Sequence, residues 1–337
     1  GIVANSGARE RSTPKWLWPA VAYSLAIGSL VWVFHGVEAR SILEDFQRMD
    51  WRWVALAIAA EIAVYFLQGW RWATLLRPIR FVPTGQAIRA VYIGIFTNEI
   101  LPLRAGELVR CYLLARWSKI RFSQIISSMV IERVIDGVLL VASFYALANL
   151  VQMPGFIRQM TLVLTVAMVV AVIALVVLRS NRRLEAALSG RRGLRWLAHL
   201  VEGLREMGDW HTIARTTAIS VPYLVVQVVP FWALGRNLSL DLSFSAMFLV
   251  LLIIRIGTIV PQAPGNVGVF QFLAVTALAL FGVPKQAAAS FSVLMFGLIT
   301  LPLLVAGAIA LTITGIKVGD LTRQQEPASD PLPEPAE

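Results

Sequence analysis

The stretch NEILPLRAGELVR, residues 98–110, sets two carboxylates, two arginines, a proline and a glycine between the apolar runs AVYIGIF and CYLLARW. Proline lacks an N–H and disrupts a helix interior, while glycine lets a chain turn and restart. The region 84–117 therefore reads as an apolar segment broken in its middle. Its arms, of about 14 to 17 residues, are short for full bilayer crossings, and a re-entrant hairpin is the economical reading. A second break, IVPQAPGNVGVFQ at residues 259–271, interrupts the apolar region 244–281 in the same frame. Ile100-Leu101-Pro102 then Gly106 matches Ile259-Val260-Pro261 then Gly265, each apolar-apolar-Pro-x-x-x-Gly.

Composition fixes the surroundings of these breaks. Of 337 residues 57% are hydrophobic and 15% charged, and the mean hydropathy is +0.70, values of an integral membrane protein. The runs at 160–178 and 287–316 are long enough to cross as helices and show no period-two alternation, which excludes a barrel. Further spans are expected at about 16–34, 51–76, 121–150 and 212–235. The first follows Arg9, Arg11 and Lys15 as a signal peptide would, but its length and Trp16, Trp18 and Trp32 fit an anchored helix.

Lysine and arginine collect at the ends of apolar runs and in the loop 179–215, so the net charge of +10 reads as cytosolic loops beside anionic lipid headgroups, not as a nucleic-acid surface. If each broken region enters and leaves by one face, the basic segments share one side. That places a multi-pass protein in the cell inner membrane, with residues 1–15 and a proline- and acid-rich, disordered tail at 317–337 both cytosolic. The membrane domain is then 16–316, with halves at about 51–150 and 212–316 and a basic loop at 179–211. An amphipathic surface helix is expected within that loop, at LRWLAHLVEGL.

With a full span before and after each hairpin, and mouths on opposite sides, the fold class is an all-α polytopic membrane protein. It is a helix bundle with two re-entrant broken-helix hairpins in an inverted repeat, an architecture of secondary transporters. Arms that crossed fully would leave every other span oriented alike, so parity leaves both arrangements open.

The breaks free backbone groups that lipid cannot satisfy. Helices restarting near Arg104-Ala105-Gly106 and Pro264-Gly265-Asn266 would point N–H groups and positive dipole ends into the break, an anion site to which Arg104 adds a full charge. The span after the first hairpin carries Glu132, Arg133 and Asp136 on one helix face. Each charge costs about 2.5 to 3.5 kcal/mol at the bilayer centre, so these side chains must face inward. Glu107 and Arg110 can pair with each other or with this cluster. An internal salt-bridge staple and a polar lining for a headgroup path are both compatible with the pattern. Glu61, mid-span, is a weaker candidate. Arg71, between Trp70 and Trp72, reads mainly as an interfacial anchor, and Arg255 is suited either to neutralise a carboxylate or to contact substrate.

The candidate substrate-binding residues are thus Asn98, Glu99, Arg104, Gly106, Glu107, Arg110, Glu132, Arg133, Asp136, Arg255, Gln262, Gly265, Asn266 and Gln271, with Pro102, Pro261 and Pro264 as structural breaks. No catalytic residue, cofactor or metal site is expected. Cys111 reads as a buried apolar residue, and His35, His199 and His211 form no ligand spacing. Neither G-x-x-x-x-G-K-[ST], H-E-x-x-H nor G-x-S-x-G occurs.

Taken together and in order, RWATLLR (71–77), NEILPLRAGELVR, ERVID (132–136) and PQAPGNVGVFQ (261–271) resemble the lysylphosphatidylglycerol synthase transmembrane-domain family, also described as flippase-like, from about residue 51 to 316. The resemblance implies a module that moves lipids between leaflets, fused in some members to a soluble domain that aminoacylates phosphatidylglycerol. The short basic loop and tail are too small for such a domain. The family pattern usually has Glu where this chain has Gln271, and often an Arg around Met295-Phe296. Both charges are absent, as expected of a pair lost together.

The implied function is translocation of a lipid with an anionic, phosphate-bearing or otherwise polar headgroup. The alternative is a membrane-embedded transferase, or an accessory subunit presenting a lipid-phosphate substrate to a separate lipid-modifying enzyme. Re-entrant hairpins predict that Leu103→Cys resists a membrane-impermeant thiol reagent on the periplasmic side and Ala263→Cys on the cytosolic side. Labelling from those sides would establish crossing arms.

Overall fold

The computed structural model describes residues 17–101, 105–180, 195–259 and 264–315, and every regular element among them is helical. The calls at Pro102, Arg104, Pro261 and Gln262, and those on both termini, lie outside the described residues.

Helix α1 (Leu17–Phe34) bends by 81° into α2 (Ala39–Gln47), a short amphipathic helix that the hydropathy reading passes over. The long α3 (Trp51–Leu76) opens where the Asp50 carboxylate accepts the Arg52 N–H at 2.9 Å, an N-cap that satisfies one otherwise orphaned donor. The first broken region is α4 (Thr84–Ile100) and α5 (Ala105–Ser118). Next come α6 (Phe122–Leu147), α7 (Gly155–Ser180) and α8 (Arg195–Met207). In the second half α9 (Trp210–Val226) and α10 (Val228–Asn237) form one apolar span of 28 residues. The second broken region is α11 (Phe244–Gly257), a 3₁₀ turn at Pro264–Asn266 and α12 (Val269–Ala279), and α13 (Lys285–Thr314) follows.

Four helices are long and apolar enough to cross a membrane by themselves: α3, α7, α9 with α10, and α13; the α1–α2 pair is a possible fifth. The arms of the broken regions fall short. At a rise of about 1.5 Å per residue, α4 and α5 span about 26 and 21 Å against a hydrocarbon core of about 30 Å. Leu101, which precedes a proline, is extended at φ −103°, ψ 141°, as clash with the proline ring demands. Pro230 likewise contributes to the joint between α9 and α10, since it lacks the N–H for the Val226 carbonyl four residues back; at the same joint the Gln227 side-chain amide donates to the Tyr223 carbonyl at 3.0 Å.

Packing contacts correspond between the halves. α3 lies on α4 as α10 lies on α11, α4 on α5 as α11 on α12, and α5 on α6 as α12 on α13. Contacts across the halves match too, α4 with α13 and α11 with α6. The two arms of the first break approach through glycine: a Cβ on Gly106 would overlap the Gly94 carbonyl oxygen.

The basic-loop helix differs from the expected surface helix. Val201, Leu204 and Met207 of α8 are buried, the helix packs on α6 and α7, and Ser127 of α6 donates to the Leu200 carbonyl at 2.7 Å. Its apolar face therefore serves the protein core. α7, in contrast, is nearly all exposed, which suits its place as the most hydropathic span.

Replacing Gly106 with valine should force α4 and α5 apart. Overpacking of this kind costs about 1 to 3 kcal/mol, so thermal unfolding in detergent should begin several degrees lower; an unchanged transition would show that the arms need no glycine contact.

Candidate functional site: a buried ion cluster

α3, α5, α6 and α9 converge on ionised side chains inside the bundle. Arg71 of α3 is 1% exposed and Glu132 of α6 likewise, with Nη2 donating to Oε1 at 3.2 Å. Arg71 Nη1 also pairs with Asp136, one turn along α6, and donates to Ser220 Oγ of α9 at 3.3 Å. The guanidinium lies 4.6 Å from the centre of the Tyr223 ring. Arg110 of α5 completes the set: its Nη2 donates to Glu132 Oε2 at 3.2 Å and its Cζ lies 4.7 Å from the centre of the Trp72 ring. The Trp72 indole N–H in turn donates to Ser128 Oγ of α6 at 2.8 Å, fixing that ring.

Both oxygens of Glu132 thus take a guanidinium, each from a different helix. In low dielectric an ion loses its hydration and is tolerated only with charged partners and hydrogen bonds, which the two arginines supply. The planar fork of arginine suits this better than a lysine would. Two donors, Arg71 Nε and Arg110 Nη1, have no partner among the described residues.

The cluster is closed on one side and open on the other. Asp136 is 15% exposed, Glu107 of α5 is 23% and Arg133 is 47%; Arg133 Nη2 donates to Glu107 at 2.8 Å. Arg255 of α11 lies within electrostatic range of Asp136 and makes no ion pair with a described residue. Among the described residues of the cluster, four arginines, 71, 110, 133 and 255, accompany three carboxylates, 107, 132 and 136, one formal positive charge in excess. The more exposed edge of the cluster is formed by side chains of α5, α6 and α11.

The remaining sequence candidates gather at the breaks. Asn98 Oδ1 accepts the Gly106 N–H at 2.8 Å, and Gln271 Oε1 accepts the Gly268 N–H at 2.7 Å. Each restarting helix therefore has an early N–H capped by an amide side chain of the protein itself, so these two donors are not offered to an anion. Gly268 adopts φ 84° and lets the Ala26 carbonyl of α1 approach where a Cβ would overlap it. The breaks meet each other: α4 packs on the 3₁₀ turn, and a Cβ on Gly265 (φ 62°) would lie 2.5 Å from Glu99 Oε2. Asn266, at φ 55°, completes that turn.

Arg71 is the residue that sequence reasoning misplaced. Five residues from the end of α3 and flanked by tryptophans, it has the pattern of an interfacial anchor, yet it is the buried counter-ion of α6. The available signal was charge balance, since Glu132 and Asp136 exceed Arg133 by one on a face that cannot meet lipid. Two hollows lie elsewhere. An apolar groove of about 420 Å³ runs between α6, α7, α8 and α9 and includes Ile131 and Ile135, and one of about 930 Å³ lies at the α6–α7 turn.

Arg71→Ala would strand Glu132 and Asp136 in the interior and should cost about 3 to 5 kcal/mol. The quadruple change Arg71→Met, Arg110→Met, Glu132→Gln, Asp136→Asn, which leaves neither buried guanidinium without its carboxylate, should recover much of that, as read by unfolding in mixed micelles. A fully stable Arg71→Ala protein would show that the cluster is solvated.

Residues 16–307 match the family model described as lysylphosphatidylglycerol synthase TM region, a span that includes both breaks and the whole ion cluster. A curated relative, glycosyltransferase AglD of Haloferax volcanii, is 24% identical over 306 residues, covering 79% of this chain and 49% of that protein. The chain thus spans about half the length of that relative. Built as a polytopic helical bundle and matched across most of its length, this chain belongs to the lysylphosphatidylglycerol synthase TM-region family.

Proposed function

We propose that this multi-pass membrane protein moves a lipid with an anionic, phosphate-bearing headgroup between leaflets. The observation that carries the reading is the open edge of the ion cluster. Arg133 and Arg255 border it, one positive charge is in excess, and the fully buried Arg71–Glu132–Arg110 core lies directly behind. A phosphate oxygen entering there exchanges water for guanidinium donors, while acyl chains stay in the bilayer.

The broken helices support the same reading. Short arms, matched contacts in the two halves and the approach of Glu99 to Gly265 fit two re-entrant hairpins in an inverted repeat that meet inside the membrane. In this arrangement the first hairpin opens to the cytosol, the second to the opposite side, and both termini are cytosolic in the inner membrane. Arg104 and Gln262, which the sequence puts in the two breaks, remain candidates for headgroup binding, and anionic lipids would gather at the basic segment 179–211.

A second reading is favoured by the name of the relative. On this reading the chain binds a lipid-phosphate substrate for a transferase, within itself or in a separate enzyme. The 49% coverage leaves the chemistry named for that protein attached to its full length.

Reconstitution separates the two. In proteoliposomes holding fluorescent phosphatidylglycerol, dithionite quenching should show movement between leaflets, and the double variant Arg133→Ala, Arg255→Ala should slow it by about ten- to a hundredfold, the worth of lost charged hydrogen bonds. These side chains lie at the edge, so folding should persist. Undiminished movement removes both residues from the path. Pure protein that changes the headgroup of a lipid phosphate without moving it would establish the transferase reading.

A further inference from the structure

Glu61 sits at the eleventh position of the 26-residue α3 span and is buried. Among the described residues, the one hydrogen bond to its carboxylate comes from the Tyr65 hydroxyl, which donates to Oε1 at 2.8 Å. No cation lies within electrostatic range of it among the described residues. This is unlike every carboxylate of the ion cluster, each of which has a guanidinium, and an ionised carboxylate with only a phenol for company is costly at that depth.

The groups around Glu61 come from each neighbouring helix. On α4, Tyr92 lies within electrostatic range of Glu61, its hydroxyl donates to the Ile62 carbonyl at 3.4 Å, and its ring packs tilted against that of Tyr65, centroids 5.5 Å apart. Tyr65 is also within electrostatic range of Glu99, at the meeting of the two breaks, and of Tyr223 on α9. Tyr223 is the ring beneath Arg71. From α6, Glu132 and Asp136 are committed to Arg71. The charges of α10 and α13 lie elsewhere: Arg236 is over Trp232, and Lys285 is bonded to the carbonyls of Trp32 and His35. Arg89 of α4 is over Trp117. Glu61 and its partner Tyr65 thus lie on α3, with Glu99 of the break region and Tyr223 of the ion cluster both within electrostatic range of Tyr65.

We propose that Glu61 is a proton-carrying site that couples lipid movement to a proton gradient, gaining a proton in the dry arrangement seen here and releasing it when the cavity opens to water. The reading rests on lipid translocation as the function. In the step, the O–H bond forms on Oε2, the oxygen that Tyr65 does not occupy, with the proton taken from water at the breaks. Release returns it to water on the other side, with no change in oxidation state. Tyr65 is a positioning residue that holds Oε1.

Two measurements on the full chain in lipid test this. Infrared difference spectra between neutral and alkaline pH should contain the carbonyl stretch of a protonated carboxylic acid that disappears in Glu61→Gln and shifts in Tyr65→Phe. With membrane potential clamped, one proton exchanged per lipid should change the steady-state distribution of fluorescent phosphatidylglycerol about tenfold per pH unit imposed, a response that Glu61→Gln abolishes. Absence of a Glu61 carbonyl band overturns the proposal. Lipid movement indifferent to the gradient overturns coupling while leaving translocation standing, and absence of lipid movement under every gradient overturns both.

Discussion

An ion inside hydrocarbon must bring its own solvent, and the bundle is organised around that requirement. Glu132 has guanidinium groups from α3 and α5 on its two oxygens, while Arg71 holds Glu132 and Asp136 on α6 and reaches Ser220 and Tyr223 on α9. Four helices that could slide past each other on apolar contact alone are thereby held in one register. Removing a single partner leaves a bare charge, so the members stand or fall together. Trp72 and Tyr223 add flat, weakly polar faces against the guanidinium groups, where a water shell would otherwise lie.

The same accounting governs the broken helices. Backbone donors released by a break need acceptors within the protein, and Asn98 and Gln271 supply them at Gly106 and Gly268. Two amides in corresponding halves perform corresponding tasks on glycine N–H groups. Gln271 is instructive because its carbonyl oxygen does for Gly268 what a carboxylate would, without importing a charge that lacks a partner in α13, where Met295 and Phe296 stand.

α6 joins the two environments of the molecule. One face carries Glu132 and Asp136 toward the centre, and another, with Ile131 and Ile135, borders the apolar groove shared with α7, α8 and α9. Its contact with α11 ties the first half to the second and brings Arg255 toward Asp136. Any motion that opens the edge between α5, α6 and α11 must therefore move a helix whose charges are pinned from α3.

Sequence by itself determined the helical membrane class, the four long apolar spans at 51–76, 160–178, 212–235 and 287–313, both breaks, and the inward face of Glu132 and Asp136, because hydropathy, proline chemistry and the cost of burying charge are local or additive properties; the helix expected to span at 121–150 carries too many charges to stand among the spans. It also placed Glu107 and Arg110 near that face. What the tertiary structure decided is which charge meets which. Arg71, 61 residues from Glu132 in the chain, looked like an interfacial anchor because depth was judged from helix ends alone. The α8 helix looked like a membrane-surface helix because an amphipathic face does not say whether lipid or protein covers it. Partner choice depends on how helices cross, and crossing is fixed by contacts such as Gly94 with Gly106 that carry no periodic signal.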